Sequence, residues 1–311
     1  MNNMSWGLLE EYLALHGEFE TNPFRLDDAS RVLNKPPGKL RYDMHVLSRN
    51  LALDRVDRGL YATVDPDKWA GMTMALKKFP GLRPFFQEIV HLLPHIDSIM
   101  LYGSRVRGDH RADSDYDIFI VTDGRFLFTE EEGERLKKQG FQIHEGYETD
   151  LRKEIKEHPV FLVPILKEAW PIFNRQVKRS LLRSYRREYL LKDLKEVGEG
   201  LLDIAQAEIS NSDVKRSIIF MSFARGRHLY LIESLINNKP FYTHCWLEKM
   251  SELWGLKQHD IERLHRLYRE IENEEKPSVR SVMKKTLHKI NEGNIKYLKD
   301  VSDRLVGVLN E

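Results

Sequence analysis

The segment MLYGSRVRGDHRADSDYDIFIV, residues 100–121, carries a Gly-Ser pair, several arginines and two aspartates between two apolar runs. The apolar runs predict two buried strands, Ser98–Tyr102 and Tyr116–Val121. Because side chains alternate along a strand, Asp115 and Asp117 are expected to project to the same side. Two carboxylates this close repel each other unless a positive charge lies between them. A divalent cation with oxygen ligands, Mg²⁺ or Mn²⁺, meets that requirement.

The Gly-Ser pair follows the first predicted strand and precedes a short predicted helix. Glycine allows close approach of the backbone, and the amides after it point outward, so such a turn suits a phosphate group. The hydroxyl of Ser104 can add a hydrogen bond, and Arg105 and Arg107 add positive charge. A phosphate turn beside a metal site is what metal-assisted attack on a nucleoside triphosphate requires.

The string GSRVRGDHRADSDYD resembles the signature of the nucleotidyltransferase superfamily that includes DNA polymerase beta, and most of all its small archaeal and bacterial members. The shared pattern is Gly-Ser, ten intervening residues, then Asp-x-Asp. The residues on motif positions are Gly103, Ser104, Arg107, Gly108, Ser114, Asp115 and Asp117. The resemblance implies transfer of a nucleoside monophosphate from a nucleoside triphosphate, expected to be ATP, with release of pyrophosphate.

The same resemblance assigns roles to the residues of the motif. It implies that Asp115 and Asp117 are catalytic and hold the metal ions. The residues expected to contact the nucleotide are Gly103, Ser104, Arg105, Arg107 and Ser114.

That family usually supplies a third carboxylate from a later strand, as general base or second-metal ligand. In the predicted strand Phe141–Gly146, alternation puts His144 and Glu145 on opposite faces. Glu145 is the expected third catalytic carboxylate, and Glu148, His144 or no residue at all are the open alternatives. Without such a group, general-base help worth about 10²–10⁴-fold is lost, which leaves a weak or inactive transferase that still binds nucleotide.

Residues 1–72 predict a winged-helix-like domain. Helical spacing covers Ser5–His16, Leu26–Leu33 and a third segment beginning near Gly38, and alternation around Arg58-Gly59 predicts a hairpin. In a winged helix the third helix enters the DNA major groove. The candidate DNA contacts are Lys39, Arg41 and Arg49 on that helix and Arg58 in the wing; the alternative is a docking domain with an ordinary solvated surface.

Two further domains are expected after a connector at 65–81. Residues 78–176 predict a mixed-sheet α/β nucleotidyltransferase domain, closed by the apolar segment VFLVPILKEAWPIF. Residues 177–311 predict an all-α bundle similar to the HEPN group, with helices at 179–209, 213–237, 244–254, 258–273 and 279–309. The arginine-histidine spacing of the HEPN ribonucleases is absent from the sequence, so RNA cleavage is not expected.

The length and the order of the predicted elements give a multidomain α+β protein, and the cysteine count favours a reducing, cytoplasmic setting. Cys245 is the only cysteine, which excludes an internal disulfide framework and a cysteine-rich metal site. The first residues lack a basic leader with an apolar core, and no apolar run is long enough to span a bilayer.

The leading hypothesis is a magnesium-dependent nucleotidyltransferase that uses two-metal-ion catalysis on an unidentified acceptor hydroxyl, in RNA or protein. The basic segment 178–187 favours an anionic macromolecule as that acceptor. A homodimer is compatible with the sequence. The alternative is a nucleotide-binding regulator in which the winged helix binds DNA and the transferase domain acts as a switch.

Overall fold

The computed structural model describes residues 4–112, 114–195, 226–239 and 243–254, with short stretches at 257–259, 261–262 and 265–266. The chain forms two compact units, Met1–Arg152 with Glu168–Leu182, and Lys153–Lys167 with Arg183–Glu311. In the described ranges, no helix has the length and apolar character needed to cross a bilayer.

The N-terminal part of the first unit has three helices and a small sheet. The helices are α1 Trp6–Phe19, α2 Leu26–Leu33 and α3 Pro37–Arg49; the strands are β1 Phe24–Arg25, β2 Leu53–Asp57 and β3 Leu60–Thr63, in the order β1-β3-β2. The three predicted helices and the predicted hairpin are therefore confirmed. Tyr12, Leu40 and Met44 are fully buried in the core between them.

A four-stranded mixed sheet forms the rest of the first unit. Its strands are β4 Ile96–Tyr102, β5 Tyr116–Thr122, β6 Phe141–Tyr147 and β7 Trp170–Phe173, in the order β6-β5-β4-β7. The β5 and β6 strands are parallel, whereas β4 is antiparallel to both β5 and β7. The mixed α/β sheet that the sequence predicts is therefore confirmed.

The predicted connector at 65–81 is instead mostly a helix, α4 Pro66–Lys78. Asp65 caps it, since its Oδ1 accepts the N–H groups of Asp67 and Lys68 at 3.0 and 3.1 Å. The helix packs so closely on β7 that a Cβ on Gly71 would lie 2.3 Å from the carbonyl oxygen of Ile172. The Asp-Pro start is a helix N-terminal signal, so the segment that the sequence predicts as a connector into the next unit is mostly helical.

The remaining helices connect and cover the strands. They are α5 Arg83–Ile89, α6 Ser104–Arg107, α7 Glu130–Lys138, α8 Glu148–Glu157, α9 Pro159–Glu168 and α10 Arg175–Ser184. One face of the sheet is mostly apolar and packs in a single core with α5 and α7. Leu101, Ile118 and Ile120 are buried on that face. Because this face is buried, the site forms from the polar residues where β4 ends and β5 begins.

The described residues of the second unit contain helices and no strand. Helical residues occur at 190–195 and 226–236 and over Thr243–Trp254, and the N–H of Val160 donates to Asp193 Oδ2 at 3.2 Å. The helix predicted over 179–209 is interrupted, because α10 ends at Ser184. The predicted helix at 279–309 and all of residues 196–225 and 267–273 lie outside the described residues.

Candidate active site

The register of the central strands brings the two halves of the motif together. Tyr102, the last residue of β4, pairs with Asp117 in β5. The next residue after Tyr102 is Gly103, and a Cβ on Gly103 would lie 2.0 Å from Oδ2 of Asp117. The carboxylate of Asp117 therefore packs directly on the backbone of the Gly-Ser turn.

The Gly-Ser turn has a backbone conformation that favours glycine. Gly103 has φ +76° and ψ −162°, a region in which side chains other than hydrogen are strained. The single-turn helix α6 follows and ends at Gly108, which has φ +85° and donates its N–H to the carbonyl of Ser104 at 2.8 Å. Ser104 is half-buried at the start of that turn.

Asp115 is exposed and immediately precedes β5. Its Oδ1 would lie 3.6 Å from a Cβ on Gly140, the residue before β6. The two strands are joined there by the N–H of Tyr116, which donates to the carbonyl of Gly140 at 2.8 Å. Asp115 and Asp117 thus stand two residues apart at the edge where β5 begins, one beside Gly140 and the other beside Gly103.

Arg105 contacts the backbone that leads into the Asp-x-Asp pair. Its Nε donates to the carbonyls of Ser114 and Asp115 at 2.9 and 3.2 Å. Its guanidinium carbon lies 4.0 Å from the ring centre of Tyr116. Ser114 in turn accepts the N–H of Arg111 on its Oγ at 2.9 Å. Both Arg105 and Ser114, expected at the nucleotide, therefore have partners within the loop before β5.

Arg107 forms an ion pair that the sequence does not predict. Its Nη1 lies 3.1 and 2.9 Å from Oε1 and Oε2 of Glu168, and its Nε lies 3.3 Å from Asp109. Oε1 of Glu168 also accepts the N–H of Gly103 at 2.8 Å. Glu168 is the last residue of the apolar helix α9. Nothing in the local sequence of that helix predicts a contact with a turn 65 residues earlier.

The three candidates for the third catalytic position lie in different places. His144 pairs with Phe119, on the face of the sheet that carries Asp117, whereas Glu145 pairs with Ile120 on the opposite face. Oε2 of Glu145 accepts the N–H of Leu127 at 3.1 Å. The structure therefore does not bring Glu145 together with Asp115 and Asp117, because β5 and β6 run parallel with this register.

The charge states of these candidates follow from their surroundings. Burial raises the pKa of Glu145, and the amides of Leu127 and Phe128 oppose that rise. Burial lowers the pKa of His144, which favours the neutral imidazole. Glu148, at the start of α8, accepts the hydroxyl of Ser180 at 2.8 Å and Nη2 of Arg152 at 2.6 Å, and these contacts lower its pKa.

A cleft of about 570 Å³ opens beside Asp115. Tyr116, Phe141 and Pro84 supply apolar walls, and Arg105 supplies a positive charge.

The carboxylates of Asp115 and Asp117 could supply oxygen ligands to a metal ion in the site. Throughout the described ranges, no group of three or more histidine, cysteine, aspartate or glutamate side chains could hold a metal ion. Asp115 and Asp117 fit a hard cation such as Mg²⁺, which usually takes one or two carboxylates and completes its shell with phosphate oxygens and water.

The predicted DNA contacts are all at the surface. Lys39, Arg41 and Arg49 are exposed on α3, and Arg58 is exposed in the turn between β2 and β3. These residues lie in the N-terminal part of the first unit, remote in sequence from the motif.

Residues 86–178 match the family model described as "Polymerase beta, Nucleotidyltransferase". The match covers the four strands of the mixed sheet and includes Gly103, Asp115, Asp117 and Glu168. It supports the polymerase beta superfamily for this domain and nucleotidyl transfer as its general activity. No curated protein sequence matches the chain at significant similarity.

Proposed function

We propose that the protein transfers a nucleoside monophosphate from a nucleoside triphosphate, with ATP as the expected donor, to an acceptor hydroxyl and releases pyrophosphate. The observation that carries this proposal is the packing of Asp117 on Gly103, which joins the acidic pair to the Gly-Ser turn. In the proposed site, Asp115 and Asp117 hold Mg²⁺ or Mn²⁺, and Gly103 and Ser104 contact the triphosphate.

The metal supplies charge stabilisation for the attacking and leaving oxygens. The residues of the chain do the remaining work. Gly103 leaves room for the Asp117 carboxylate, while Arg105 fixes the carbonyls of Ser114 and Asp115 and so orients the start of β5, where both acids lie. Phosphoryl-type transfer depends mainly on such positioning and on electrostatic stabilisation.

The third catalytic position falls to His144 in this proposal. Of the three candidate residues, His144 has register support, since it lies on the Asp117 face of β6. Its lowered pKa suits a neutral base that accepts the proton of the attacking hydroxyl. Glu145 instead stabilises the segment before α7 through the amide of Leu127.

The proposed acceptor is an RNA or protein hydroxyl. Arg175 and Arg179 are exposed one helical turn apart on α10, which supports an anionic macromolecule. The experiment is to incubate the protein with α-labelled nucleoside triphosphates, Mg²⁺ and total cellular RNA or protein. Label transfer that is lost in Asp115→Asn and Asp117→Asn supports the proposal, and transfer retained in both variants contradicts it.

The matched control for these variants is Asp123→Asn. Asp123 follows the other end of β5, and its carboxylate contacts His95 and Arg125 at the surface. The control removes one carboxylate from the same strand region without touching the proposed metal site, so its transfer activity is expected to equal that of the unmodified protein.

A second candidate function is DNA binding by residues 1–72 as a winged helix. The helix order and the β2–β3 hairpin support it, and so does the outward face of α3. That face carries Arg41, Tyr42, His45 and Arg49, all exposed, whereas Leu40, Met44 and Leu47 are buried on the other side. Salt-dependent duplex binding without label transfer would favour the regulator over the enzyme.

A further inference from the structure

Two carboxylates flank Gly103, and only one of them belongs to the motif. Asp117 packs on the α-carbon of Gly103, and Glu168 accepts the N–H of the same residue at 2.8 Å. Leu101 in β4 pairs with Trp170 in β7, so the antiparallel register, continued two residues, places Glu168 beside Gly103.

We propose that Glu168 is a positioning residue of the nucleotidyltransferase site, which fixes the Gly103–Ser104 turn against Asp117 through the Gly103 amide and the Arg107 guanidinium. The inference rests on the proposed function. It extends that function to a residue that lies outside the Gly-Ser and Asp-x-Asp motif.

The ion pair explains how a second carboxylate is tolerated so close to Asp117. The side chains of Arg107 and Glu168 are only 16% and 22% exposed, and both oxygens of Glu168 face Nη1 of Arg107. Burial raises the pKa of Tyr102, and the charges of Asp117 and Glu168 raise it further, so both carboxylates act on the same neighbour. Arg107 therefore compensates the negative charge of Glu168 next to Asp117.

The amide contact determines where the turn points. Gly103 has φ +76°, and its N–H is fixed on Glu168 while α6 starts at the next residue. Rotation of the peptide before Gly103 would move the backbone away from Asp117 and redirect Ser104. Arg107, which the sequence predicts at the nucleotide, serves in this account to hold Glu168 in place.

The experiment measures binding of Mn²⁺ with an ATP analogue that is non-hydrolysable between the α- and β-phosphates, by equilibrium dialysis. The variants are Glu168→Ala, Glu168→Gln, Arg107→Ala and the double variant. Glu88→Ala is the matched control, since Glu88 pairs with Arg135 at the surface of the same unit. Affinities are referred to the folded fraction, determined from thermal unfolding of each variant.

Loss of a partner that orients a metal or ligand group typically costs about 10- to 100-fold in affinity, and Glu168→Ala is expected to fall in that range. Glu168→Gln keeps an oxygen for the Gly103 amide and is expected to lose less. Arg107→Ala is expected to bind more weakly than the double variant, because it leaves the Glu168 carboxylate uncompensated beside Asp117.

The outcomes separate this role from the proposed function. If the unmodified protein binds the analogue and Glu168→Ala binds equally well, the positioning role is overturned and the function stands. If Glu168→Ala and Glu88→Ala lose affinity equally, the effect is unspecific and the role is overturned as well. If the unmodified protein and Asp117→Asn bind alike or not at all, the proposed function fails, and the role of Glu168 fails with it.

Discussion

The carboxylate of Asp117 lies where a side chain on Gly103 would have to be. A Cβ on Gly103 would be 2.0 Å from Oδ2, 2.7 Å from Cγ and 3.1 Å from Cβ of Asp117. Because the last of these contacts involves the Cβ of Asp117, rotation of the carboxylate alone cannot relieve the overlap. The two residues therefore constrain each other, and the close approach of β5 to the turn depends on glycine.

Gly103→Ala is expected to reduce both stability and nucleotidyl transfer. Its positive φ alone costs about 1–3 kcal/mol for a residue with a side chain. Gly108→Ala is the matched control, since Gly108 has φ +85° but no atom within 4 Å of a Cβ. Urea unfolding should show a loss in both variants, whereas label transfer should fall much further in Gly103→Ala. Equal loss of transfer in the two would contradict the role of the close approach.

Arg105→Lys is expected to weaken Mn²⁺ binding while the protein stays folded. Lysine keeps the charge but cannot bond the carbonyls of Ser114 and Asp115 and stack on Tyr116 at the same time. Affinity should fall by about 10- to 100-fold, as measured by Mn²⁺ electron paramagnetic resonance. Arg111→Lys is the control, because only the backbone N–H of Arg111 bonds Ser114. Unchanged Mn²⁺ affinity in Arg105→Lys would rule out this orienting role.

His144→Ala and Glu145→Gln test which face of β6 takes part in the chemistry. His144→Ala is expected to lower label transfer by about 10²–10⁴-fold, since it removes the proposed base. Glu145→Gln should leave transfer unchanged, because its amide oxygen can still accept the N–H of Leu127. The reverse result would restore Glu145 as the third catalytic residue.

The proposal that His144 is the base also predicts how nucleotidyl transfer depends on pH. The ordinary pKa of histidine is 6.5, and burial lowers that of His144, so the neutral ring persists below this value. Transfer should therefore stay constant as the pH falls to about 6.5 and decline only below it. Single-turnover rates between about pH 5 and 8 measure this decline at low pH, which should be absent in His144→Ala.

Local patterns were sufficient to predict the motif and the three N-terminal helices but not the partners of the motif's arginines. The Gly103 turn and the strands on either side of the motif could be predicted because turn residues and apolar runs are adjacent in sequence. Arg105 and Arg107 were expected at the nucleotide because they are positively charged. Charge alone does not reveal which carbonyl or carboxylate a guanidinium contacts. Glu168 was missed because the register between β4 and β7 joins distant segments.

Two elements of the fold were not predicted as such, for separate physical reasons. β1 is only two residues long, too short for alternation to appear, and it forms only by pairing with β3. The helix α4 was predicted only as a connector, although Pro66 occupies the first turn, where proline is tolerated. Glu145 was expected as the third catalytic carboxylate with His144 and Glu148 left open, because strand alternation gives two faces but does not say which one carries Asp117.

Glu148→Gln is expected to destabilise the protein near neutral pH and not in acid. The hydroxyl of Ser180, and then Arg152, lower the pKa of Glu148 in the folded state. The stabilisation is therefore present above the unfolded pKa and is lost as the pH falls through the lowered folded value. The penalty should stay below about 1 kcal/mol, because the side chain is 37% exposed. Urea unfolding at neutral pH and in steps toward about pH 3.5 checks it; an equal penalty throughout would contradict the assignment.

Arg41→Ala and Arg49→Ala test the outward face of α3. If α3 contacts the phosphates of a duplex, each variant should weaken binding and reduce the slope of log K against log salt by about 1. Fluorescence anisotropy with a labelled duplex at several salt concentrations measures that slope. Arg31→Ala is the control, since Arg31 lies on α2 and pairs with Asp28. A slope that is the same in all three variants and in the unmodified protein would mean that α3 does not contact DNA, and the N-terminal helices would then have a docking role.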